Sequence, residues 1–284
     1  MTQTISQTNK TLYFNQRTKQ LTLFVLCIIV LTYIYIHGLM ITEEMLEGDF
    51  LMKNLPPSLD HIFGTDALGR DMYLRTIKGL SLSTQIGFIS TFFSVLISIL
   101  FSMLLSVGNI YLDKFVVWLI DVFLSLPHMM FLILISVAVG KGVKGIVIGL
   151  AATHWTGLTR ILRSEILQIK TQNYIKVSRS FGKSKLWVGW YHILPNLFPQ
   201  IVVSAVLLFP HAILHESGIS FLGFGLSLST PAIGIILAES MKYLPAGHWW
   251  LGFFPGLLLV ILVLAINGIG ESLQQILDPH LSHL

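Results

Sequence analysis

Between Lys19 and Glu43 the chain carries no Asp, Glu, Lys or Arg, and residues 21–41 are almost wholly apolar. About 20 such residues span the roughly 30 Å hydrocarbon core of a bilayer as one helix, whose internal hydrogen bonds satisfy a backbone that water cannot reach. Further charge-free runs lie at 79–112, 122–140, 145–159, 186–215, 217–238 and 243–270. They predict an all-α membrane protein with about six spans, near 21–41, 84–108, 116–139, 145–164, 199–221 and 251–271. The third is extended back through Asp121, and the fourth ends near Arg160 and Arg163. Only 11% of the 284 residues are charged, against roughly 25% in a soluble domain. A cytosolic enzyme, a disordered chain and a secreted disulfide scaffold are thereby excluded. The single cysteine, Cys27, can form neither an internal bridge nor a thiolate cluster. The first apolar run is too long for a signal-peptide core and lacks a small-residue cleavage site, so it reads as an uncleaved anchor.

An even number of spans puts both termini on one side. Eleven of the eighteen Lys and Arg residues then share that side: Lys10, Arg17, Lys19, Lys114, Arg160, Arg163, Lys170, Lys176, Arg179, Lys183 and Lys185. The positive-inside rule makes it cytoplasmic. The expected organisation is a cytoplasmic tail at 1–20, a first span at 21–41 and an extracytoplasmic segment at 42–83. A five-helix core at 84–271 follows, with an inner loop at 165–198, and then a cytoplasmic tail at 272–284. The basic residues belong to loops, and no basic patch interleaved with aromatics is present to bind nucleic acid.

Several motifs fail on inspection. Gly182-Lys183-Ser184 resembles the end of a phosphate-binding loop, but Val177 stands where the first glycine is required. Leu228 likewise occupies the third glycine position after Gly223 and Gly225. His211 and His215 are spaced i, i+4 with Glu216 beside them, which is not the H-E-x-x-H order of metalloproteases. Ionisable residues in a span usually face a bundle interior or a cavity. His211, His215 and Glu216, with His128 and Met129 after Pro127, are therefore the candidates for a solute path. No metal ligand set is assigned. Gly145 and Gly149 form a small-xxx-small face for close helix packing.

The inner stretch 165–199 mixes charges with spaced apolar residues: Ile175, Val177, Phe181, Leu186 and Val188. Gly182 follows a helical pattern and suits a tight turn between two short helices. Pro195 and Pro199 are expected to break the chain before the fifth span. Such punctuation suggests docking to a soluble partner rather than a helix resting on the bilayer.

The order Tyr174-Ile-Lys-Val-Ser-Arg-Ser-Phe-Gly182, then His192-Ile-Leu-Pro-Asn196, resembles the coupling loop of ABC importer permeases. Lys176-Val177-Ser178 stands where that family usually has Glu-Ala-Ala. His61-Ile-Phe-Gly-Thr-Asp-Ala-Leu-Gly-Arg-Asp71, Glu216-Ser-Gly-Ile-Ser-Phe-Leu-Gly-Phe-Gly225 and the run from Asn267 to Asp278-Pro279 are similar to the second permease subunit of the dipeptide, oligopeptide and nickel subgroup. The similarity covers roughly residues 20–280. It implies a type I importer permease fold, with Tyr174, Lys176, Ser178, Arg179, Phe181, Gly182, Lys183 and Pro195 coupling it to ATPases. It also implies a second homologous permease, two cytoplasmic ATPase subunits, an extracytoplasmic solute-binding protein and a bacterial plasma-membrane location. No cofactor is expected on this chain, since ATP and Mg would be held by the partner subunits. A short peptide, nickel or a metal–chelator complex would be the solute. The competing reading is an intramembrane metalloenzyme using His211, His215 and Glu216. Such an enzyme needs a placed general base and an open metal position, which the sequence does not assemble.

Overall fold

The computed structural model describes the backbone of residues 2–277 and the side chains of residues 21–276. The side chains of Lys10, Arg17 and Lys19, and the segment carrying Asp278, Pro279, His280 and His283, lie outside those residues. Ten α-helices form the described chain: α1 (Thr2–Met40), α2 (Met72–Val107), α3 (Ile110–Ser125), α4 (His128–Val139), α5 (Val143–Thr171), α6 (Asn173–Ser180), α7 (Lys185–Val188), α8 (Leu194–Phe221), α9 (Ile233–Ser240) and α10 (Trp250–Leu277).

The helix α2 is the centre of the bundle. Its buried face is built from small residues at helical spacing, among them Ser83, Gly87, Ser90, Ser94, Ser98 and Ser102. Without a hydrophobic drive between helices in lipid, such residues let backbones approach and exchange hydrogen bonds. Ser98 Oγ donates to the Trp155 carbonyl of α5 at 2.9 Å, and a Cβ at Gly87 would lie 2.7 Å from Ile213 of α8. The small face of α5 packs in the same way against α4. A Cβ at Gly145 would lie 2.1 Å from the Gly140 carbonyl, and one at Gly149 would lie 3.3 Å from that of Leu132.

Three expectations are corrected. First, the helix α2 that carries the span expected near 84–108 is longer than that span and begins at Met72. Its 36 residues make about 54 Å, more than a bilayer core requires. The charged residues in its first turns are partnered: Arg75 by Asp66 and Glu239, and Lys78 by the Ile41 carbonyl at 2.7 Å. Second, the expected third span is two helices, α3 and α4, bent by 95°. The break falls at Leu126-Pro127, where Pro127 disfavours a helical residue before it. Third, Pro195 and Pro199 do not interrupt the chain. The run Lys185–Phe221 is continuous, through a wider π turn at Gly189–Ile193. Pro195 stands in the first turn of α8, directly after that π turn, and Pro199 lies inside the helix. The expected all-α membrane fold stands, and length and composition alone pick out part of its spans. Leu21–Met40, Met72–Val107, Lys185–Phe221 and Trp250–Ile276 qualify, giving four spans among the described residues, or five with the bent pair. The remaining candidate, α5, is long but polar. Its Thr153, His154, Thr156 and Thr159 are buried against other helices.

Candidate functional site

Three regions carry the motifs. On the segment expected outside, Asp66 organises His61–Asp71. Its Oδ1 accepts from the Leu68 and Arg70 backbone N–H groups at 2.9 Å. Its Oδ2 accepts from Arg70 Nε at 2.7 Å and Arg75 Nη1 at 2.5 Å. Arg75 also reaches Glu239 Oε2 of α9 at 2.9 Å. Asp71 caps α2 by accepting from the Tyr73 and Leu74 N–H groups, and it pairs with His61 at 2.8 Å. Gly69, at φ +75°, would drive a Cβ to 1.8 Å from the Asp49 carbonyl. These residues tie the segment before α2 to α9, a role the sequence did not reveal for Arg75 or Glu239.

The second region is the element α6–turn–α7. Ile175 and Val188 are fully buried in a cluster with Leu105 of α2, Val116 of α3, Leu162 and Ile166 of α5, and Leu197 of α8. Burying a residue like Ile175 is worth about 1.5–3 kcal/mol, which seats the element on the bundle. Gly182 has φ +78° and completes a Schellman cap. Its N–H donates to the Arg179 carbonyl at 2.9 Å, and that of Lys183 donates to Ser178 at 3.3 Å. Ser184 caps α7 through the Trp187 N–H at 3.2 Å, and Lys183 lies 4.7 Å from the Trp187 ring centre. His192-Ile-Leu-Pro-Asn196 closes the element from the other side. The His192 ring meets Tyr174 and Trp187 edge-on, Ile193 is buried, and Asn196 Nδ2 lies 3.4 Å from Tyr174 Oη. The outer face is left with Tyr174, Lys176, Val177, Arg179, Phe181, Lys183 and Pro195 exposed. Ser178 is half-buried.

The third region lies among α4, α5 and α8. His128, the first residue of α4, meets His215 of α8 and His154 of α5, with ring centres 4.5 and 4.9 Å away. Met129 joins them, its Sδ 3.0 Å from His215 Nδ1. His211, one turn before His215, is exposed, and neither it nor Glu216 belongs to the set of ligand atoms that lie within 4.8 Å of one another. The Glu216 carboxylate is fully buried and accepts from Ser220 Oγ at 2.9 Å and Ser217 Oγ at 3.4 Å. The set His211, His215 and Glu216 needed for a metalloenzyme is therefore not assembled. His154 was missed in the sequence because it shares no spacing pattern with the other two histidines.

Residues 94–283 match the family model described as "Binding-protein-dependent transport system inner membrane component". The chain is 35% identical over 229 residues to the dipeptide transport system permease protein DppC of Bacillus subtilis, covering 81% of this chain and 72% of that one. It is 32% identical over 233 residues to the oligopeptide transport system permease protein OppC of the same organism, covering 82% and 76%. Among solved structures, an inward-facing form of the MetNI methionine ABC transporter aligns with a TM-score of 0.61 at 22% identity. That alignment covers 73% of this chain and 98% of the other, and the likeness is one of fold.

Proposed function

The chain belongs to the family of binding-protein-dependent transport system inner membrane components, and from that membership we propose that it forms half of a path for short peptides. It is a multi-pass membrane permease subunit of an ABC importer, a transport component rather than an enzyme. The peptide assignment rests on the dipeptide and oligopeptide systems among its relatives.

The observation that carries the mechanism is the α6–turn–α7 element. Its buried side is anchored to the ends of α2 and α5, while its outer side presents apolar and basic groups that a soluble protein can cover. Large exposed apolar groups of this kind mark interaction surfaces. Two cytoplasmic ATPase subunits would hold ATP and Mg, and residues 174–190 of this chain would follow their surfaces as the two subunits close. Through Ile175 and Val188 the displacement enters the cluster shared by α2, α3, α5 and α8 and alternates access to a path between this chain and a second homologous permease. ATP acts only through its different affinity for the two states. A solute-binding protein delivers the peptide from outside, and both termini lie in the cytoplasm of a bacterial cell. The charge excess on one side supports that orientation.

The test is uptake by cells carrying the whole transporter, comparing labelled dipeptides and oligopeptides with chelated nickel, cobalt and zinc. Peptide uptake that unlabelled peptide suppresses is expected. Uptake confined to metal chelates overturns the peptide assignment.

A further inference from the structure

We propose that His128, His154 and His215 form a binding site for one late first-row transition-metal ion at the junction of α4, α5 and α8. The site does not depend on which solute is transported.

One ring-nitrogen atom from each of the three histidines lies within 4.8 Å of the others. The tautomer of His154 is fixed by its surroundings. Its Nδ1 is 3.0 Å from the Leu150 carbonyl, and a carbonyl only accepts, so Nδ1 carries the proton. The lone pair is left on Nε2, which is buried without a hydrogen-bond partner in a residue 8% exposed. This matches the usual preparation of a metal-binding histidine, in which one ring nitrogen donates to a carbonyl and the other is held ready. His215 is arranged similarly: Nδ1–H points at Met129 Sδ, 3.0 Å away, which frees Nε2. His128 Nε2 is also buried and unpartnered. Buried polar groups are normally satisfied, so two orphaned imidazole nitrogens in one cluster call for a ligand.

The donor set selects the ion. Neutral imidazoles suit Zn, Cu, Ni or Co and disfavour Mg and Ca, which take oxygen ligands. Bonds of about 2.0–2.1 Å in a tetrahedral shell place ligand nitrogens about 3.3 Å apart, so the rings must draw together. His128 can supply much of that movement, because it opens α4 immediately after the break at Pro127. Three protein ligands leave a fourth position for water. An ion held there links the bent pair α3–α4 to α5 and α8.

The probe is Co2+, titrated into the purified transporter with all its subunits and read by its visible absorption, with Zn2+ as competitor. The wild type is expected to show the intense bands of four-coordinate cobalt, displaced by Zn2+ and insensitive to Mg2+. In the double variant His154→Gln/His215→Gln the apparent affinity should fall by at least about tenfold, since even outer partners of a metal ligand are worth 10–100-fold. His211→Gln, on the same helix but outside the cluster, should bind as the wild type does. Equal binding by the double variant and the wild type, or only the pale spectrum of six-coordinate cobalt in the wild type, overturns the proposal. Should the double variant fail to assemble, X-ray absorption of the wild type with Zn2+ decides it. Three imidazole ligands are expected, and fewer than two would refute the site.

Discussion

Gly182 offers a test in which backbone conformation and side-chain size can be separated. Its φ is +78°, and a Cβ built there meets nothing within 4 Å, so a substitution is opposed by the backbone and not by neighbours. An L-residue in the left-handed region costs roughly 1–2 kcal/mol. Asn costs less because its short amide bonds locally, and a β-branched residue is a true outlier. The helix this turn closes has only 8 residues and one buried side chain, Ile175, well under the roughly 12–15 residues at which isolated helices become marginal. A loss of 1–2 kcal/mol, about 5- to 30-fold in the equilibrium between closed and frayed turn, is a large share of what holds the element. At matched membrane expression, uptake and solute-stimulated ATP hydrolysis by the assembled transporter should fall in the order Gly182→Asn, Gly182→Ala, Gly182→Val. The Asn variant should stay near wild type, and amide exchange across 173–188 should rise in the same order. Asn and Val are close in volume but differ in tolerance of positive φ. If Asn is as damaging as Val while the far smaller Ala is tolerated, the residue matters for contact with a partner and the strain argument is wrong. Normal coupling in the Val variant removes the turn from the transmission path altogether.

Asp66→Asn keeps the two backbone bonds to Leu68 and Arg70 but turns a donor toward Arg70 Nε and Arg75 Nη1. Arg75, buried on α2, is left with Glu239 alone. A loss of about 3 kcal/mol is expected from breaking a buried pair, seen as faster proteolysis within 42–71 and a lower Tm of the complex. Unchanged protection would show that Glu239 suffices. For topology, cysteines at Glu47 and Ser229 in a Cys27→Ser background should react with an impermeant thiol reagent from outside, and one at Ser184 should not. All three positions are exposed in the chain, so labelling of Ser184 from outside refutes the cytoplasmic placement of the coupling element.

The apolar helices α1, α8 and α10 were legible because lipid acts on each segment by itself. A stretch free of charge, with its backbone bonded internally, partitions without reference to its neighbours. The Gly182 turn was legible for the same local reason, since a glycine after a helical pattern names its own backbone conformation. The break in the third span was not anticipated, although Pro127 was in view. Proline ends α3 locally, but the 95° angle depends on how α4 packs on α5. That α2 extends back to Met72 was not legible, because charge on a helix reads as a loop until its partners are known.

The sequence by itself therefore determined that this chain is a membrane-embedded helical protein and where its punctuated 174–190 element lies, because burial in lipid and backbone conformation are properties of short segments. Only the tertiary structure decided which polar groups meet. Arg75 finds Glu239 across 164 residues, polar α5 is tolerated because other helices shield it, and His154 joins His128 and His215 rather than leaving His211 to do so. Those meetings are set by helix crossing and rotation, which no local spacing encodes.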